Sequence, residues 1–93
     1  MTLKTIKVAS ALERKSFRSE EGDHTWYWFW VNDIKTTIRT KISHGETEID
    51  KRLIGKMARQ INLDKDDFID FVDCRLSREN YLEKMITEGH VKF

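Results

Sequence analysis

From Thr25 to Val31 the chain reads Thr-Trp-Tyr-Trp-Phe-Trp-Val. Aromatic and β-branched residues suit a pleated, half-buried surface, so the run predicts a strand. Asn32-Asp33 follows as a two-residue turn, since both residue types tolerate positive φ. Ile34 to Ser43 is the return strand, with Ile34, Ile38 and Ile42 alternating with Lys35, Arg39 and Lys41. Upstream, Val8, Ala9, Ala11 and Leu12 lie on one face of a helix over roughly Thr5 to Lys15. Its start also reads as a strand, because Ile6 and Val8 alternate with lysines. Phe17 to Ser19 is a short strand, and Glu20, Glu21 and Gly22 form a turn. After His44-Gly45 the period changes. Leu53, Ile54, Met57, Ala58 and Ile61 make one wide apolar stripe on a helix over roughly Asp50 to Ile61. Asp64 caps a helix to about Asp73, with Phe68, Phe71 and Val72 inward. Ser77 caps a last helix carrying Tyr81, Leu82, Met85 and Ile86. The order is α-β-β-β-α and then two further helices. This is an α+β fold with a three-stranded antiparallel sheet and helices on one face. Residues 1–93 form a single domain, with a core over 1–61 and a helical C-terminal extension over 62–93.

The hairpin register assigns the faces. With Asn32-Asp33 as the whole loop, Val31 stands against Ile34, Phe29 against Thr36 and Tyr27 against Ile38. The other face sets Trp30 against Lys35, Trp28 against Thr37, Trp26 against Arg39 and His24 against Lys41. One residue more or less in the loop would exchange the faces. The face with Tyr27, Phe29, Ile34, Ile38 and Ile42 is the aliphatic one and is expected to take the helices. The opposite face then presents three tryptophans, several cations and His24. Such a face fits base stacking and phosphate pairing. It fits equally a protein partner, or C-terminal helices folded back over it.

Composition narrows the class. Ninety-three residues and 11.1 kDa hold one modest core. Charged residues reach 35%, but ten aromatics argue against disorder. The single Cys74 excludes an internal disulfide. No apolar run approaches a membrane span, and no signal-peptide core follows the start methionine, so a soluble, cytoplasmic protein is expected. The net charge of +1 averages two unlike halves. Residues 1–45 carry eight basic and five acidic side chains, and residues 46–93 carry nine and eleven. The cationic excess therefore lies with the tryptophan strand. It predicts a small nucleic-acid surface with a shallow salt dependence.

Lys15-Ser16-Phe17, Gly22-Asp23-His24 and Thr40 to Gly45 (TKISHG), with the Lys56-Met57-Ala58 helix, carry a resemblance. Over roughly residues 5 to 61 the chain resembles the HicA family of prokaryotic toxin–antitoxin mRNA interferases, in a subgroup with a helical C-terminal extension. The family pattern is a helix, a Gly-Phe step, a short strand, then Gly-Ser-His on the second strand. Here serine replaces the first glycine, and Asp23 replaces the serine. The resemblance implies a dsRBD-like fold, RNA cleavage without metal or cofactor, and neutralisation by a HicB-type antitoxin. A homodimer is compatible with it. By position, His24 inherits the catalytic role, with Gly22 in the turn before it.

Cleavage by 2′-hydroxyl attack needs a proton acceptor, a proton donor and cations on the phosphate. An imidazole serves in either proton role near neutral pH. Lys41, Arg39 and Lys35 are the candidate phosphate ligands, and Trp26, Trp28 and Trp30 the candidate stacking platforms. His44, just past the strand, is a weaker second proton donor and also reads as a turn residue. His90 is assigned nothing, and Cys74 reads as a small buried or half-buried hydrophobe. Three histidines without clustered cysteines or carboxylates make no metal site. Leu53 to Val72 has the cadence of a helix-turn-helix. Its second helix, however, carries Asp64, Asp66, Asp67, Asp70 and Asp73 against Lys65, and phosphate would repel it. The remaining alternative to a nuclease is a non-catalytic RNA- or protein-binding module that uses the Trp-rich face.

Overall fold

The computed structural model describes residues 2–91. In chain order the elements are β1 (Thr2–Lys4), α1 (Thr5–Arg14), β2 (Phe17–Glu21), β3 (His24–Val31), β4 (Ile34–Ser43), β5 (Glu48–Asp50), α2 (Lys51–Gln60), α3 (Lys65–Val72) and α4 (Arg78–Thr87). The fold is α+β. Its main sheet is antiparallel, in the order β2-β3-β4. A second, two-stranded sheet pairs β1 with β5, setting Leu3 against Ile49. The sequence pattern misses this pair, because a three-residue strand offers one inward side chain and no alternation to detect.

Local chemistry sets most boundaries. Asn32 and Asp33 take φ of 50° and 64°, as the tight hairpin turn requires. Asp50, Asp64 and Ser77 cap α2, α3 and α4 by accepting from the backbone N–H of Leu53, Asp67 and Asn80. The same three helices end in one motif. Asn62, Cys74 and Gly89 adopt left-handed φ, and the next residue's N–H returns to the carbonyl of Ala58, Asp70 or Met85. Cys74 is exposed in this turn, against the buried or half-buried position expected for it.

The hairpin departs from the simple register. Val31–Ile34 and Trp30–Lys35 pair as expected, but Trp28 then faces Arg39 in place of Thr37. Trp26 faces Lys41 in place of Arg39, and His24 faces Ser43 in place of Lys41. Between the Trp30 and Trp28 pairs, Phe29 alone stands against Thr36, Thr37 and Ile38. The Thr36 hydroxyl holds this bulge: it donates to the Phe29 carbonyl at 2.7 Å and accepts from the Ile38 N–H at 3.2 Å. Two extra residues leave the alternation intact, so the faces are not exchanged. Ile34 begins the edge strand on the far side of the bulge from Ile38 and is 62% exposed, against the covered position expected for it. Thr40 instead faces Tyr27 and is fully buried, donating to Gln60 Oε1 at 2.6 Å.

The helices meet the face that carries Tyr27, Phe29, Val31, Ile38 and Ile42. Phe17, Phe29, Phe71 and Tyr81 form an aromatic cluster with ring centroids 5.0 to 5.9 Å apart. Tyr81 is fully buried, and its hydroxyl donates to the Ile61 carbonyl at 2.8 Å. Burial pushes its phenol far above the ordinary range. The helices beyond residue 61 therefore complete the sheet's own core. Among the described residues, no helix is long and apolar enough to cross a membrane.

Candidate functional site

Strand alternation sends His24, Trp26, Trp28 and Trp30 to the face away from the aromatic core. β2 adds Arg18 and Glu20 to that face, and β4 adds Lys35, Arg39 and Lys41. No tryptophan of the row is left bare. Arg18 lies over the Trp30 ring at 4.3 Å and Lys35 over Trp28 at 4.0 Å. Arg39 spans Trp26 at 4.4 Å and Trp28 at 4.9 Å, and Lys41 sits 5.5 Å from Trp26. Significant cation–π contacts occur about once per 70–80 residues, so five on one small sheet face mark a concentrated feature. The stacking holds flexible cationic side chains in a fixed array. It also leaves the three rings half-buried.

Ion pairing sorts the charges of this face into paired and unpaired ones. Arg18 pairs with Asp33 of the hairpin turn at 3.0 Å, and Glu20, which stands beside Trp26 on β2, takes Lys35 at 2.6 Å. Toward the start of β3, Arg39 and Lys41 have no carboxylate within ion-pair distance among the described residues. The unpaired positive charge therefore lies on the β4 side of the row, at Arg39 and Lys41. Near the hairpin turn the Trp30 indole N–H is buried without a hydrogen-bond partner, a donor that folded proteins seldom leave unmatched.

His24 continues the tryptophan row into a cleft at the β4 edge. The cleft measures about 150 Å³ and is lined by His24, Lys41, Ser43, Leu53, Lys56, Met57 and Gln60. No carboxylate lines it. The His24 Nδ1 is buried and unpartnered. Gln60 is oriented by the Thr40 hydroxyl, which occupies its amide oxygen. The cleft thus gathers an imidazole, two ammonium groups, a hydroxyl and an amide, a donor set suited to an oxyanion.

The structure brings together His24, Lys41, Arg39 and the three tryptophans of the sequence reading, with Lys35 paired to Glu20. His44 is elsewhere: its Nε2 lies 3.3 Å from the Glu21 carboxylate, and it does not line the cleft. Gly22 sits in the β2–β3 turn, where a Cβ would meet only the His24 carbonyl at an ordinary 3.7 Å, so the turn does not demand glycine. Sequence reasoning missed Lys56 and Gln60. Their spacing of four residues puts them on one border of the α2 apolar stripe, but only the packing shows that this border closes over the end of β3. Arg18 was missed because it belongs to the neighbouring strand. No family model matches the chain, and no curated protein or solved structure matches it either.

Proposed function

We propose that this protein binds single-stranded RNA across the tryptophan–cation face and cleaves it at the His24 cleft, as a HicA-type mRNA interferase. The observation that carries the reading is the continuity of the two features. Lys41 stacks on Trp26 and also lines the cleft with His24 and Lys56, and no acidic group opposes a phosphate there. Bases would stack on the guanidinium planes of Arg18 and Arg39, or displace an ammonium from an indole ring. A phosphodiester in the cleft would have its charge met by Lys41 and Lys56. His24 would take the 2′-hydroxyl proton as the 2′-oxygen attacks phosphorus, or return a proton to the departing 5′-oxygen.

Two structural facts support the family reading. The succession α1-β2-β3-β4-α2, with the helices on one sheet face, is the order a dsRBD-like domain would have. Ser16 holds φ of 71°, the left-handed conformation that the glycine of a Gly-Phe step takes without strain. A HicB-type antitoxin and a cytoplasmic setting belong to the same proposal. A second reading, RNA binding without cleavage, is favoured by one observation: every ring of the face already carries a cation, so the surface is complete without chemistry at His24.

A labelled single-stranded RNA, incubated with the purified chain in EDTA, separates the two. His24→Ala is expected to lower cleavage by about 10²–10⁴-fold while keeping affinity. Arg39→Ala with Lys41→Ala is expected to weaken binding by at least about 10-fold. With three cations on phosphates, the log–log salt slope should be about −2. Binding without cleavage by the wild type would leave the non-catalytic module. Failure to bind at low salt would remove both readings.

A further inference from the structure

β2 is a free edge of the main sheet. Arg18, Ser19, Glu20 and Glu21 are all exposed along it. The ladder to β3 fixes which backbone groups are unused. The Trp30 N–H donates to the Ser16 carbonyl at 2.9 Å, so these two residues form a hydrogen-bonded pair. Bonded and non-bonded pairs alternate in an antiparallel ladder. Arg18 with Trp28 and Glu20 with Trp26 are therefore bonded pairs as well. The N–H and C=O groups of Phe17, Ser19 and Glu21 then point away from the sheet, which is the template an additional antiparallel strand needs.

The charges on this edge select its partner. A second β2 strand, running antiparallel, must place outward-pointing residues opposite one another. Three registers do so with at least three residues of each strand in the overlap. One sets Arg18 against Arg18, another Glu20 against Glu20, and both place like charges across a closely spaced pair. The third centres a two-fold axis on Ser19. It sets Arg18 of each copy against Glu20 of the other, at two symmetric places. Both side chains have reach to spare, since Arg18 is 55% and Glu20 48% exposed despite their contacts with Asp33 and Lys35.

We propose that a second copy of this chain docks on the β2 edge, with Ser19 at the two-fold axis and Arg18 paired with Glu20 of the partner subunit. The two sheets fuse into one of six strands. Even-numbered β2 residues meet even-numbered ones, so both tryptophan rows emerge on the same side. Across three strand spacings the rows stand side by side about 14 Å apart, doubling the area of a stacking surface. The pairing does not depend on what that surface binds.

Sedimentation equilibrium of the full chain tests it, using charge reversal and mixing. The wild type is expected to dimerise reversibly in the micromolar range and above. Arg18→Glu alone and Glu20→Arg alone are each expected to weaken self-association by at least about 10-fold. An equimolar mixture of the two variants is expected to regain the dimer, because two acidic residues at positions 18 and 20 then meet two basic ones. Amide spectra of each variant check that the fold is kept, and the mixture itself reports that both chains are competent. A wild type that stays monomeric at every concentration would overturn the proposal. So would a dimer that both variants retain, or variants that fail to associate when mixed.

Discussion

Cys74 shows how one side chain acquires an environment that its neighbours in sequence do not foretell. It ends α3 in a left-handed turn, with its sulfur 3.2 Å from an Arg14 guanidinium nitrogen and 3.5 Å from the Lys15 ammonium. Lys15 is only 4% exposed, and its other neighbour is the Phe71 ring at 5.0 Å. Hydrogen bonding from Arg14 first, and then from Lys15, holds the thiol below its ordinary range. The two cations favour the ionised form, so thiolate persists to lower pH and is lost only as pH falls through the lowered value. Iodoacetamide alkylation of Cys74 should therefore reach half its plateau rate at a lower pH than alkylation of an unperturbed cysteine thiol. Arg14→Ala should move that midpoint upward. A wild-type profile matching that of free cysteine would contradict this account.

Among the elements, the β3–β4 hairpin rests most on a single group. Thr36 lies in a bulge that adds two residues to β4, and its hydroxyl both donates to Phe29 and accepts from Ile38. Without that hydroxyl, the Phe29 carbonyl and the Ile38 N–H lose partners in a partly buried place. Thr36→Val keeps the shape and removes both bonds, and should cost about 1–3 kcal/mol in urea denaturation. Thr36→Ser should cost less. Cross-strand amide contacts in the valine variant should still report Trp28 opposite Arg39, because β2 holds β3 in place and a one-residue slip of β4 would send Arg39 and Lys41 into the core. Even spacing of the insertion is thus what keeps the cation ladder and the buried Tyr27–Thr40 pair on their proper sides.

At the scale of the whole molecule, the C-terminal helices hold the sheet together from the far side. Phe71 and Tyr81 pack against Phe17 and Phe29, and all four are at most 1% exposed. Phe71→Ala should destabilise the chain by about 3–5 kcal/mol, a large share of the 5–15 kcal/mol typical of a domain. A chain ending at Asn62 would bare Phe17 and Phe29 to water, and is expected to give a collapsed amide spectrum with no cooperative melt. A well-dispersed spectrum from that fragment would show that the sheet, α1 and α2 suffice. The same helices carry the acidic excess of the sequence, and they dock opposite the tryptophan face. The carboxylates of α3 and α4 are therefore kept away from the surface proposed for RNA, where Glu20 and Asp33 are paired with Lys35 and Arg18.

Sequence alone determined the elements whose signals are local. The aromatic run fixed β3, the Asn32-Asp33 dipeptide fixed the turn, and Asp64 and Ser77 fixed the starts of α3 and α4, because each acts through bonds within a few residues. It also determined that Trp26, Trp28 and Trp30 share a face, since alternation follows from strand geometry. Tertiary structure decided what those residues meet. The bulge at Thr36 set Arg39 opposite Trp28 and Lys41 opposite Trp26, so that Arg39 spans two rings, an effect of chain spacing across two strands. The docking of α2 brought Lys56 and Gln60 to His24, and Glu21 took His44 elsewhere. Nothing in a linear pattern records these contacts, because they join residues brought together by burial of the apolar faces and not by any signal in the residues themselves.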